Sequence, residues 1–89
     1  VDITPFVGPA FRQLREEAGL SQEGLALEAG LDRTYVSGIE RGRRNPSLKS
    51  MQRLAEQLGV SLDRVFTLAL ALAQEKAAQP SPRRRHRSS

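Results

Sequence analysis

The chain has no cysteine, which removes both disulfides and thiolate metal ligands as staples for a small fold. Its one histidine, His86, lies among arginines near the C-terminus, so no Cys/His or Ser/His/Asp set and no metal-ligand spacing can be assembled. No apolar run approaches the roughly 18 to 20 residues of a membrane span. The acidic-apolar N-terminus lacks the basic start of a signal peptide. Absence of cysteine fits a reducing cytosol. These absences lead us to expect a soluble, cytoplasmic protein with no membrane partner, no metal and no cofactor. An enzyme is not expected either: the glycines fall at helix corners instead of in a phosphate-cradling loop, and the acids are scattered.

With 89 residues, five prolines and seven glycines, there is room for one small domain and a tail. A domain of this size buries a limited share of its surface, and oligomerisation is a common remedy. Charge is unevenly spread. The formal net charge of +4 equals the contribution of Arg83, Arg84, Arg85 and Arg87, because residues 1–79 balance ten basic against ten acidic groups. Within that neutral part, residues 1–32 hold two basic and six acidic groups, whereas residues 33–53 hold six basic groups against Glu40 alone. A neutral domain with one basic face suits a polyanion approached in a single orientation.

Along the chain, VDITPFVG (residues 1–8) shows no helical period and reads as an extended lead-in. Pro9 suits the first position of a first helix, with Phe11, Leu14 and Ala18 as its apolar stripe. Three corners then repeat one solution: Gly19-Leu20-Ser21, Gly30-Leu31-Asp32 and Gly59-Val60-Ser61. In each, glycine can close a helix in the left-handed conformation and Ser or Asp can cap the next one. The apolar residue between them is expected in the core, as a staple to Leu25, Val36 and Val65 respectively. Ser47 follows Pro46 as the cap of a fourth helix, whose buried face is expected to be Leu48, Met51, Leu54, Ala55 and Leu58. The fifth helix, after Ser61, has apolar residues over an arc of roughly 200°, about twice the stripe that packing on one core needs. Either it sinks deeper into its own core, or Leu68, Leu70 and Leu72 form a symmetric dimer contact, the reading we prefer. From about Ala77 the Pro/Ser/Arg-rich sequence is expected to be a disordered basic tail, which either tracks phosphates or stays solvated. The expected division is therefore a lead-in (1–8), a domain with a dimerising fifth helix (9–76) and a tail (77–89).

The second and third helices, from Ser21 to Asn45, carry the chemistry. Two short helices joined by a glycine turn form a helix-turn-helix unit, whose second helix can enter the major groove of DNA. With Val36 at the centre of the buried face, Ile39 and Glu40 lie beside it, and Thr34, Ser37, Gly38 and Arg41 point outward. Arg33 and Tyr35 flank the boundary. Such a short polar face suits base edges: Arg bonds guanine bidentately, and Thr and Ser donate, accept or meet a thymine methyl. Gly38 costs a helix roughly 1 kcal/mol relative to alanine. Close approach of DNA is our explanation for it, with a neutral accident as the alternative. Arg33 opposes the helix dipole and is either functional or an ordinary exposed cation. Gln22, Tyr35, Arg41, Arg43, Arg44 and Asn45 lie where such a unit passes the sugar-phosphate backbone. Glu40, the lone acid of the basic stretch, is assigned Arg15 as a structural partner.

The run LSQEGLALEAGLDRTYVSGIERGRRNPSL (residues 20–48) closely resembles the lambda-repressor-like, Cro-type helix-turn-helix family, also called the xenobiotic-response-element (XRE) family. The resemblance extends over about residues 9 to 70. It implies an all-α, five-helix DNA-binding domain, a backbone contact from Gln22, an Arg15–Glu40 link between the first and third helices, and base-facing positions at Arg33, Thr34, Ser37 and Gly38. Gly24 departs from the family in that it cannot complete a capping box with Ser21. Gly38 departs in having no side chain for a contact often made there. Length, the apolar excess of the fifth helix and the TYVSGIERGRRNPSL run are most similar to restriction-modification controller proteins, small dimers that regulate their own operon and the endonuclease gene. The implied function is sequence-specific transcriptional regulation by a homodimer on a pseudo-palindromic operator of double-stranded DNA, with RNA polymerase as a candidate further partner. The alternatives are an antitoxin or phage-type repressor, and a protein-interaction module on the same fold.

Overall fold

The three glycine corners do what their sequences require. Gly19, Gly30 and Gly59 take φ of 73°, 69° and 70°. The amide after each donates back to the carbonyl five residues earlier (Leu20 to Arg15, Leu31 to Ala26, Val60 to Ala55), the bond that closes a Schellman turn. Side-chain caps follow the first two: Ser21 Oγ accepts from the Gly24 amide at 2.9 Å and Asp32 Oδ1 from the Thr34 amide at 2.7 Å, whereas Ser61 at the third accepts the Arg64 and Val65 amides through its carbonyl, not its side chain. Ser47 caps as the first two do, its Oγ accepting from the Ser50 amide at 3.0 Å. In the computed structural model, which describes residues 1–78, these signals delimit five helices and no strand among the described residues. They are α1 (Thr4–Glu17), α2 (Gln22–Ala29), α3 (Arg33–Glu40), α4 (Leu48–Leu58) and α5 (Leu62–Ala78).

The N-terminus differs from the expected lead-in. α1 begins at Thr4, not Pro9, because Asp2 Oδ1 accepts the Thr4 amide at 2.9 Å and Pro5 sits in the first turn, where its missing donor costs nothing. Pro9 is inside the helix. The buried stripe is Val7, Ala10, Phe11 and Leu14, spaced as one helical face, whereas Ala18 is exposed at the C-terminal end. Gly8 is where α1 crosses α3: a Cβ there would collide with the Ile39 carbonyl, so backbone meets backbone with no side chain between.

Around Phe11 the core gathers Leu25, Ala26 and Ala29 from α2, Val36 and Ile39 from α3, Leu54 and Ala55 from α4, and Val65 and Ala69 from α5. α1 lies along α5 and across α3, and α2 packs between α3 and α4. Two expected core residues are outside it. Leu20 is 37% exposed and Leu48, the first residue of α4, is 63% exposed; Leu31 and Val60 are partly buried against the core.

α5 also changes the reading of its apolar arc. Val65, Ala69 and Ala73 form its buried stripe. Leu68 and Leu72 pack partly against the core on one flank and Phe66 on the other, where Leu70 lies further out and is exposed. Leu68 and Leu70 are thus about 160° apart around the axis, and one flat contact cannot cover both. Ala77 and Ala78, placed in the tail by sequence, belong to α5; positions 79–89 lie outside the described residues.

Candidate nucleic-acid interface

α3 is fixed from the inside. Val36 and Ile39 are fully buried, and Glu40 beside them is 4% exposed. A carboxylate at that depth needs compensation, and it has it. Arg15 of α1 donates through Nε to Glu40 Oε2 at 2.8 Å and through Nη2 to Oε1 at 3.0 Å, a two-pronged pair. The third prong, Nη1, donates to the Leu20 carbonyl at 2.8 Å. The bonds to Glu40 raise the Arg15 pKa above its ordinary value, against the opposing effect of burial. The expected Arg15–Glu40 pair is therefore present and ties α1, its C-terminal corner and α3 together.

Gln22 joins that network. Its Nε2 donates to Glu40 Oε1 at 3.1 Å, so one of its two amide hydrogens is committed inward. The other is available for a phosphate, with the side chain already oriented.

On the outer side of α3, Arg33 and Thr34 are exposed in the first turn and Ser37 is partly exposed one turn later. Leu27, 78% exposed on α2, shares a shallow surface concavity with Arg33, Gln22 and Glu23. Arg41 continues the outer face, its Nε donating weakly to the Ser37 carbonyl at 3.4 Å. The pattern expected from the helical wheel holds here.

Gly38 is the exception. It is buried, not open to an approaching duplex. The chain leaves α3 through a fourth left-handed glycine, Gly42 at φ 75°. The amides of Arg43 and Arg44 then both donate to the Gly38 carbonyl, at 2.8 and 3.1 Å. Arg44 folds back over Gly38 so closely that a Cβ there would lie 2.5 Å from its Cγ. Its guanidinium carbon stands 5.1 Å from the centre of the Tyr35 ring, within cation–π range. Tyr35 is itself held, since its hydroxyl accepts the Ser47 amide at 3.2 Å. The side chain of Ser50 lowers the phenol pKa most, with the amide and side chain of Ser47 and then the charge of Arg44 adding to it, against the opposing effect of burial.

This corner was harder to see in the sequence than the other three. Gly42 directly follows the last residues of a helix, but the next position is Arg43, not an apolar staple. The result is a basic exit of exposed Arg41, Arg43, Arg44 and Asn45, with exposed Lys49 and Arg53 on α4.

Residues 11–65 match the family model described as helix-turn-helix. Among similar proteins is the uncharacterized HTH-type transcriptional regulator y4dJ of Sinorhizobium fredii, 44% identical over 68% of this chain and 79% of its own. Control protein C.MunI of Mycoplasma sp. is 42% identical over 74% of this chain and 90% of its own. Among solved structures, the restriction-modification controller protein C.AhdI from Aeromonas hydrophila superposes with a TM-score of 0.67 at 45% identity, covering 70% of this chain and 94% of that one.

Proposed function

The chain belongs to the helix-turn-helix family, and from that premise we propose that two copies bind a pseudo-palindromic operator and regulate transcription as a restriction-modification controller. The observation that carries this reading is the division of α3: Val36, Ile39 and the ion-paired Glu40 fix its inner side, leaving Arg33, Thr34 and Ser37 outward. A rigid helix with a short polar face is what groove entry requires. Arg33 would read a guanine edge, with Thr34 and Ser37 beside it. The second amide hydrogen of Gln22, together with Arg41, Arg43 and Asn45, would bind phosphates and set the register. The role is binding, not catalysis.

The homodimer is part of the proposal, with its surface relocated. Met51, Phe66, Leu68 and Leu72 are partly buried against the protomer's own core; Leu48 on α4 and Leu70 on α5 are the exposed large apolar side chains of these helices. A two-fold contact there would set two α3 helices about 34 Å apart for successive major grooves. RNA polymerase is the further partner we propose.

The test is selection of bound sites from random DNA followed by Arg33→Ala. Discrimination at one base pair should fall by about 1 to 3 kcal/mol while other positions keep theirs. Equal weakening on every sequence would move Arg33 to a phosphate, and failure of the intact protein to select any site would end the proposal.

A further inference from the structure

We infer that Gly38 is a positioning residue for Arg44, and that Arg44, seated on it, forms part of the α3 surface that meets DNA. The inference rests on the DNA-binding reading above and assigns Gly38 a role different from a direct approach to bases. A side chain at position 38 would point outward, into the face that carries Ser37 and Arg41. That space is already filled. The Arg44 stem occupies it, with its Cγ, Cβ and Cδ at 2.5, 3.4 and 3.7 Å from where a Cβ would stand. A duplex approaching this part of α3 therefore meets Arg44 first.

The seat has three supports. The Arg44 amide is held by the Gly38 carbonyl at 3.1 Å, its stem lies in the glycine notch, and its guanidinium rests over the Tyr35 ring at 5.1 Å. Tyr35 is braced in turn by the Ser47 amide. An exposed arginine normally samples many rotamers and loses that freedom on binding. One already ordered avoids the loss, worth roughly 2- to 10-fold in affinity.

Gly38→Ala separates the seat from the fold. The one atom a Cβ would strike is Arg44 Cγ, which a turn about χ1 moves aside while Arg44 Cβ keeps its 3.4 Å contact, and the helix gains a better helix former. The full chain is measured as wild type, Gly38→Ala, Arg44→Ala and the double variant. In the free protein, proton NMR should show the Arg44 side-chain methylenes shifted by the ring of Tyr35, the single tyrosine of the chain. Gly38→Ala should remove that shift with no fall in melting temperature. On a selected DNA site, Gly38→Ala should weaken binding roughly 2- to 10-fold, and should cost nothing further once Arg44 is alanine.

A shift that survives in Gly38→Ala overturns the seat. Loss of the shift with unchanged DNA affinity overturns its role in binding. An equal affinity loss in both backgrounds overturns the coupling and returns Gly38 to direct contact with DNA. If the wild type binds no DNA, the proposed function falls and this role with it, while the NMR measurement still decides whether the seat exists.

Discussion

Truncating Arg15 to alanine should leave the protein unable to hold its fold under mild denaturing conditions. The Glu40 side chain is 2% exposed, and the two prongs from Arg15 at 2.8 and 3.0 Å are its main compensation. Removing one partner of such a pair strands a charge in the interior and costs about 3 to 5 kcal/mol. The Gln22 amide at 3.1 Å would remain and places the expected loss toward the lower end of that range. Small domains hold only about 5 to 15 kcal/mol in total, so the change takes a large fraction. Thermal melting followed by circular dichroism should drop by roughly 12 °C or more, at about 4 to 8 °C per kcal/mol for a domain of this size. The double replacement Arg15→Met with Glu40→Leu should recover most of the loss, because it removes the buried charge along with its partner. A single variant that melts within about 2 °C of wild type, a fraction of a kcal/mol on that scale, would refute the reasoning. So would a double variant no better than the single one.

Two further outcomes follow from the interface. Arg43→Ala should reduce the slope of log affinity against log salt by about 0.9, measured by titrating a labelled site across salt; an unchanged slope takes Arg43 off the phosphates. Leu70→Glu should shift sedimenting species from dimer to monomer with helix content preserved, since Leu70 is 39% exposed on the protomer; a dimer that persists would move the contact elsewhere.

Five helices could be read from this sequence because their ends are marked by chemistry local to a few residues. Gly30 closes α2, Asp32 caps α3, and a buried Val36 and Ile39 follow at helical spacing. The buried Arg15–Glu40 pair was legible for a related reason: a lone acid on the inner side of a basic helix must find a cation. What escaped depends on how elements meet. A helical wheel gives the direction of Gly38 but not the return of Arg44 through the Gly42 turn, so a filled space was read as an open one. It gives the width of the apolar arc of α5, but only packing against α1 shows that Leu68 and Leu70 fall on opposite flanks of the buried stripe. The start of α1 differs because Pro9, which suits a first helical position, lies inside the helix, and Pro5 takes the first-turn place instead.

The length of α3 bears on the proposal that two copies act together. Eight residues make a helix of about 12 Å, which covers about four base pairs at 3.4 Å each. Within that span the side chains proposed to read a base edge are Arg33, Thr34 and Ser37, joined at the C-terminal end by Arg44 in its inferred seat. A good bidentate contact discriminates by about 1 to 3 kcal/mol, so two arginines on one protomer supply about 2 to 6. Specific sites exceed non-specific DNA by about 4 to 10 kcal/mol. One protomer reaches only the lower part of that range, and two acting together span it. In the proposed dimer, the surface around exposed Leu70 would be the feature on which sequence specificity depends, although it need not touch DNA. For that reason Leu70→Glu should reduce the preference for the selected site over random DNA more than it reduces non-specific binding. Equal loss of both, measured in one competition titration, would mean that a single α3 suffices and that dimerisation serves another purpose.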